Sequence, residues 1–313
     1  MVQLKKVDRS MFPQVYELLL EFNNEHLTRE DWRKLYDYPW ETNEGYCGYA
    51  LIDGDSVVGF ISMIFSERVI NGRVERFCNL ANWIVKPEYR SQSLTVLLPS
   101  LKLTSHTLTD FTPSDQVREI SKRLGFKDLD GGLRVLLPPL MGPLGMGWRN
   151  PPQITTEPSQ MAQWLQPDDF RIFQDHQQTQ CRHLLLRDGN SYCYVIFSTV
   201  QTNKGSLRYS SIHFISNKEL FAKHSIPLRS TIMRTSRSPL VVVDRRLVAD
   251  LPLRLSFDLP VHAARLYKSS TVKPEEIDNL YSELVLANVS TLPGLRTILA
   301  PIRRLARGAG VRP

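Results

Sequence analysis

Trp83-Ile84-Val85-Lys86-Pro87-Glu88-Tyr89-Arg90-Ser91-Gln92-Ser93-Leu94-Thr95 is the stretch on which the reading of this chain turns. An apolar run ends in a Pro-Glu-Tyr-Arg turn, and a loop of small polar residues leads into leucines. Leu94, Leu97, Leu98 and Leu101 have helical spacing. The pattern predicts a strand, a tight loop and a helix N-terminus in direct succession. Pro87 ends the strand ladder because it has no N–H. A helix start presents unpaired backbone N–H groups and the positive end of the helix dipole, and its natural guest is an anion, most often a phosphate. Arg90 adds a fixed positive charge, while Ser91 and Ser93 are small enough for close approach. Pro99 predicts a short or kinked helix. Taken alone, the segment also reads as an ordinary strand–turn–helix.

The neighbouring residues widen the reading. The chain from Arg76 to Lys127 resembles the acetyl-CoA-binding core of the GNAT superfamily of N-acetyltransferases. Val85-Lys86-Pro87-Glu88-Tyr89-Arg90 matches the family's strand end and loop start. Lys122-Arg123-Leu124-Gly125-Phe126 matches its closing helix and turn, with Gly125 as a left-handed helix stop. The chain departs from the pattern at four places. Ser93 and Thr95 replace two loop glycines, Ser114 replaces an Asn at the start of the closing helix, and Ser121 stands where the family commonly has a Tyr that protonates the leaving thiolate. A serine hydroxyl is a far weaker acid than a phenol, whose reference pKa is about 10.

The chain has 313 residues, which suggests two domains. It is 42% hydrophobic and 23% charged, an ordinary globular composition, and cytoplasmic placement is the expectation. No apolar run is long enough for a membrane span, and Val2-Gln3-Leu4-Lys5-Lys6-Val7 lacks a secretory pattern. The four cysteines have neither metal-ligand nor disulfide-framework spacing and are read as reduced core residues. The net charge of +7 is uneven: 18 basic against 19 acidic residues through Asn150, then 21 against 13. The excess includes a basic, Gly-rich tail. The arginines are otherwise scattered and form no recognised nucleic-acid module.

Apolar periodicity sets out the first half. Leu4 to Val7 is a strand, and Ser10 caps a helix bearing Phe12, Val15, Leu18, Leu19 and Phe22. Thr28 caps a second helix. Tyr46 to Ile52 and Val57 to Phe65 form a hairpin about Asp53-Gly54-Asp55. Arg76 to Val85 continues the sheet, and Leu108 to Phe111 and Leu133 to Leu137 are expected to complete it. This is the GNAT element order. The Pro- and Gly-rich stretch 139–152 reads as a linker. Beyond it the layout repeats weakly, as strand–turn–strand about Asp188-Gly189-Asn190 followed by Leu207 to Ile215, but Ser216-Asn217-Lys218 carries no phosphate loop. Residues 275–284 are expected to form an amphipathic helix on this second half. The fold class is therefore α+β: a GNAT-like mixed sheet flanked by helices (residues 1–138), the linker, a degenerate GNAT-like domain (153–302) and the basic tail (303–313).

Acyl transfer to an amine requires a polarised thioester carbonyl, a neutral amine and a leaving thiolate. The resemblance assigns the first to a backbone N–H of the strand Asn79 to Val85. Asn82 and Glu75 are candidates for handling the amine, Glu75 being the carboxylate nearest that strand in sequence, and Ser121 stands at the acid position. Strand parity puts Asn79 and Asn82 on opposite faces. Val85 would pair with the pantetheine arm, and Arg90, Ser91, Gln92, Ser93, Leu94 and Thr95 would hold the pyrophosphate. The seven histidines show no ligand spacing, so no metal is expected. Neither a nucleophile elbow nor a nucleotide-triphosphate loop is present. The expectation is an N-acyltransferase that uses acetyl-CoA as donor and a small amine, amino sugar or amino acid as acceptor. The competing reading is a non-catalytic GNAT-like protein that binds CoA, an acyl carrier or a protein partner.

Overall fold

A computed structural model describes residues 1–139, 152–202, 207–259 and 264–292. Most of the linker 139–152 and all of the tail 303–313 lie outside the described residues. The chain forms two compact units. The first comprises Met1–Leu129 and Ala264–Ala287, the second Asp130–Ala263 and Asn288–Pro313.

In the first unit the chain lays down β1 (Gln3–Val7), α1 (Phe12–Leu19), α2 (Arg29–Lys34), β2 (Gly48–Asp53), β3 (Ser56–Ile70), β4 (Arg73–Val85), α3 (Ser93–Leu101), β5 (His106–Asp110), α4 (Asp115–Arg123) and β6 (Lys127–Asp128). In the second it forms β7 (Leu133–Leu136), β8 (Gln153–Thr155), α5 (Pro158–Ala162), α6 (Pro167–His176), β9 (Arg182–Asp188), β10 (Ser191–Gln201), β11 (Arg208–Ile215), α7 (Lys218–Lys223), α8 (Ser225–Ser236), β12 (Val241–Asp244), α9 (Arg245–Val248) and β13 (Ser256–Leu259). It then returns to the first unit with β14 (Leu266–Lys268) and α10 (Glu283–Leu286).

Local chemistry accounts for these elements. Buried Phe12, Val15, Leu18 and Leu19 give α1 one apolar face. Thr28 and Asp31 close a reciprocal capping box on α2. Asn71 and Gly72 both take positive φ (+52° and +75°), as a two-residue hairpin turn between β3 and β4 requires. That turn carries both strands well beyond the lengths read from the sequence.

Each unit holds one seven-stranded mixed sheet, in the orders β1-β2-β3-β4-β5-β14-β6 and β8-β9-β10-β11-β12-β7-β13. The two orders match strand for strand, so the tandem α+β layout expected from the sequence is present. β4 and β5 are parallel, as are β11 and β12. One expectation is corrected. Leu133–Leu136 does not complete the first sheet but pairs with β12 and β13 in the second, while β14 lies between β5 and β6. Leu133, Val135 and Leu136 are all buried, and they face two different core clusters. A strand so apolar on both faces needs a central position covered on each side.

The segment 275–284 is corrected too. Its helical part is a 3-10 turn at Pro274–Glu276 and the short α10, separated by extended backbone at Ser282, and it belongs to the first unit. Its apolar residues Ile277, Leu280, Tyr281 and Leu284 are buried as the pattern implied, but spacing alone did not decide between a continuous helix and a folded-back loop.

Candidate functional site: a forked strand pair in the first unit

β4 and β5 pair from Arg76↔His106 to Asn79↔Thr109 and then part. Leu80 to Val85 remain paired with β3 on one edge and, among the described residues, have no partner strand on the other. The result is a fork that exposes backbone donors and acceptors along one side of β4.

Inside the fork β4 bulges. Phe60 pairs with Ile84 and Ser62 with Ala81, so Asn82 and Trp83 together oppose Ile61. Asn82 takes φ +53°, a left-handed conformation that asparagine tolerates better than most side chains. The bulge also shifts the alternation. Cys78 and Leu80 belong to the core cluster under α3, and beyond the extra residue Trp83 and Val85 pack against that same cluster. The parity argument for Asn79 and Asn82 assumed an unbroken strand, which the bulge rules out. The side-chain nitrogen of Asn82 is buried without a hydrogen-bond partner.

The loop after β4 is a 3-10 turn, Pro87–Gln92, that runs into α3. Tyr89 fixes it to the β2–β3 hairpin by donating its hydroxyl to Asp53 Oδ2 (2.8 Å). Gln92, the residue before α3, makes no side-chain capping bond, and the Ser93 N–H donates to the Arg90 carbonyl of the preceding turn. Arg90 and Ser91 are exposed, Gln92 and Ser93 half-buried, Leu94 and Thr95 exposed, and Val85 half-buried at the strand end. In the second unit Asn217 accepts the Leu220 N–H (3.0 Å) and closes the N-terminus of α7 with its own side chain. The absence of a phosphate loop there is thus matched by a filled helix start.

At the base of the fork lies a polar network, buried at Asn79, Thr109 and Glu283 and reaching the surface at Thr112, that sequence reasoning missed. Asn79 Nδ2 donates to Thr109 Oγ1 (3.1 Å), and Asn79 Oδ1 accepts the Glu283 N–H (3.4 Å). Thr112 Oγ1 donates to Glu283 Oε1 (2.9 Å), and the Thr112 N–H donates to Asp110 Oδ1 (3.3 Å). Glu283 is 3% exposed, and its Oε2 is buried without a partner. Burial pushes the Glu283 carboxyl up to about 7 against the opposing pull of the Thr112 hydroxyl and the Arg265 charge. Burial, and then the neighbouring Glu283 charge, drives Asp110 well above the usual carboxylate range. Asn79 and Asn82 are three residues apart on one strand, about 10 Å at ~3.3 Å per residue. The point at which Asn79 holds the Glu283 backbone is therefore on the same strand as the bulge. A cavity of about 20 Å³ beside Thr109 and Phe111 has room for about one water.

Three residues singled out from the sequence are dispersed. Glu75 lies seven residues before Asn82 on β4, roughly 23 Å away at ~3.3 Å per residue, and its carboxylate accepts from Thr271 Oγ1 (2.7 Å). Ser121 is buried in α4, and its carbonyl accepts the Leu124 and Phe126 N–H groups as the helix ends at Gly125 (φ +89°). Asn82 alone of the three stands at the fork. No signal in the sequence connects Asn79 with Glu283, which are about two hundred residues apart.

A larger cavity of about 490 Å³ is lined by Asp8, Arg9, Tyr36, Tyr38, Glu44 and Tyr46 among others. It lies beside the segment 41–47 that leads into the start of β2. There Trp40 Nε1 donates to the Phe65 carbonyl and Cys47 O accepts the Met63 N–H. It shares no residue with the fork, and size alone does not make it the reactive site. Among the described residues no group of three His, Cys, Asp or Glu side chains is suited to a metal ion, and no helix is long and apolar enough to cross a membrane.

The fold matches solved N-acetyltransferase structures. A GCN5-related N-acetyltransferase from Anabaena variabilis aligns with TM-score 0.53 at 12% identity, covering 86% of this chain and 72% of that one. One from Kribbella flavida aligns with TM-score 0.53 at 13% identity, covering 85% and 70%. Likeness at this identity shows a shared fold: the chain has the tandem GNAT architecture. No family model and no curated protein matches its sequence.

Proposed function

We propose that this protein is an acyl-CoA-dependent N-acyltransferase whose working site is the fork of the first unit. The observation that carries this reading is the conjunction in one strand of an unpaired edge, a left-handed bulge at Asn82 and an uncapped helix start beyond it. The parts correspond to the needs of the chemistry. Val85 and the free edge of β4 offer backbone partners to an extended pantetheine arm. The first turn of α3, with Arg90, Ser91, Gln92, Ser93, Leu94 and Thr95, receives the pyrophosphate largely through main-chain N–H groups. A bulge turns backbone out of the ladder and provides an N–H for the thioester oxygen, the kind of preorganised donor that stabilises an oxyanion.

Acetyl-CoA is the donor we propose, and a small amine, amino sugar or amino acid the acceptor. The second unit, whose corresponding helix start is closed by Asn217, is assigned no donor site. A non-catalytic CoA-binding protein is the second reading. It is favoured by Ser121, which places no phenol at the acid position and is buried.

Calorimetric titration with acetyl-CoA, with free CoA in parallel, tests the donor site, and thiol release against a panel of primary amines tests the transfer. Saturable binding with thiol release supports the enzyme, and binding without release supports the second reading. No binding up to millimolar ligand overturns both.

A further inference from the structure

We propose that the Glu283 carboxylate accepts the proton of the acceptor amine, as the working member of a carboxyl pair with Asp110 that holds one proton between them. This rests on the transfer reading given above and names the group that would perform its proton step.

Geometry is the main argument. Glu283 is brought to the fork by the returning C-terminal segment of the first unit, and its backbone is fixed by the side chain of Asn79, the last β4 residue paired before the strands part. One carboxylate oxygen is held by Thr112 (2.9 Å), which fixes the rotamer. The other is buried with no partner. A buried, unpaired carboxylate oxygen costs about 1–3 kcal/mol or more, so it marks a place where an incoming donor would be welcomed. An ammonium or amine N–H is such a donor. Arg265, ahead of β14, favours the ionisation of Glu283, and the Glu283 charge in turn raises Asp110 on β5. Two carboxyls linked through one residue, Thr112, resist double ionisation. Asp110 retains the proton, and the Glu283 carboxyl, pushed up to about 7, is poised to accept another near neutral pH.

The step balances. The acceptor arrives as R–NH3⁺ and gives one proton to Glu283. The freed nitrogen lone pair forms the new N–C bond at the thioester carbonyl. The carbon–sulfur bond breaks, its electron pair leaves on sulfur, and the CoA thiolate takes a second proton from the former amine nitrogen. Glu283 then returns its proton to solvent, so amide, CoA thiol and one released proton are the products. No oxidant or further co-reactant is required.

The test uses the full chain with acetyl-CoA and n-butylamine, or the best amine of the panel. It compares wild type, Glu283→Gln and Asp110→Asn by acetyl-CoA affinity, melting temperature and the pH profile of kcat/KM. The expected result for Glu283→Gln is unchanged acetyl-CoA affinity, an intact fold and a rate at least about a hundredfold lower, within the usual range for a lost general base. The acid limb of the wild-type profile should vanish with it. Asp110→Asn should leave that limb in place, because the protonated Asp110 it replaces carries no charge while Glu283 titrates. A Glu283→Gln enzyme that keeps both rate and acid limb overturns the assignment and leaves the transfer reading standing. Wild type that binds acetyl-CoA and acylates no amine overturns the transfer reading, and the proton step with it. If Glu283→Gln unfolds, the Asp110→Asn profile decides: an acid limb that disappears or moves with Asp110 overturns the assignment to Glu283.

Discussion

Deleting Asn82 separates the fold from the chemistry. In β4 the core-facing residues are Cys78 and Leu80 before the bulge, and Trp83 and Val85 after it. With Asn82 removed, these four fall on every second position of an unbroken strand, and the pairs Phe60↔Ile84 and Ser62↔Ala81 persist with Ile61 facing Trp83. The shortened strand therefore needs no change of face and no shift of register at either end. It also loses a left-handed residue (φ +53°), a backbone state that costs on the order of 1–3 kcal/mol where a non-glycine must hold it. A buried amide nitrogen without a partner disappears as well. Urea denaturation should give a stability equal to the parent or higher by about 1 kcal/mol, a value at the low end of that strain range. Thiol release should fall by about 10²–10³-fold, the usual loss when one oxyanion donor is removed. Acetyl-CoA affinity should change far less, because the loop from Arg90 to Thr95 keeps its connection to Val85. A deletion variant with full transfer activity would refute the role of the bulge, and one that unfolds would refute the registry argument.

Three further outcomes follow from the same contacts. Arg90→Glu reverses an exposed charge beside the uncapped start of α3, so acetyl-CoA affinity by calorimetry should drop at least about tenfold, or ~1.4 kcal/mol, with the melting temperature unchanged; unchanged affinity sinks the pyrophosphate assignment. Glu283 titrates near 7 when folded against 4.5 in the unfolded chain, so the native state binds the extra proton and its stabilising contribution, complete below 4.5, is lost as pH rises through 7. Glu283→Gln should then match the wild type near pH 4.5 and exceed it in stability by up to about 3 kcal/mol above pH 7, at 1.36 kcal/mol per unit; identical pH–stability curves would contradict the buried ionisation. Arg229 in α8 is 1% exposed, with two donor nitrogens lacking partners and only the Leu255 carbonyl as acceptor (3.1 Å). Arg229→Met should leave stability unchanged or raise it by about 1–3 kcal/mol in denaturant titration, as apolar replacement of buried charge often does, whereas a marked loss would mean that the guanidinium is compensated.

The parts of the site that were legible in the sequence are those made by neighbours in the chain. The run from Val85 to Leu98 declared its strand, loop and helix through Pro87, the small residues and the leucine spacing, and all three are present. Gly125 announced the end of α4. What escaped was set by pairing across the sequence. Leu133–Leu136 and Leu266–Lys268 are both short and mostly buried, and nothing in either run states which of two sheets it joins. The bulge at Asn82 depends on a register against β3 that strand parity takes for granted. Glu75 was chosen because it is close in sequence, yet an extended strand carries neighbours apart faster than any other backbone. Glu283 was hidden for the opposite reason, within a segment whose apolar spacing suggested only a packed helix.

The two units show how one topology supports different ends. Both keep the fork between parallel strands, and both bulge next to it: in the second unit His213 is the extra residue, opposite the break between Ile196 and Phe197. There its Nε2 meets Ser198 Oγ (2.9 Å), which also donates to Asn288 Oδ1 (2.8 Å), and Asn217 caps the helix that follows. Side chains of the same unit thus pair with one another beside the bulge and close the helix start. In the first unit the corresponding groups are left open: Gln92 does not cap α3, Asn82 keeps an unpaired amide, and Glu283 keeps an unpaired oxygen. Unsatisfied buried polar groups cost stability, and in the first unit two of them, on Asn82 and Glu283, lie on or beside the strand proposed as the donor site.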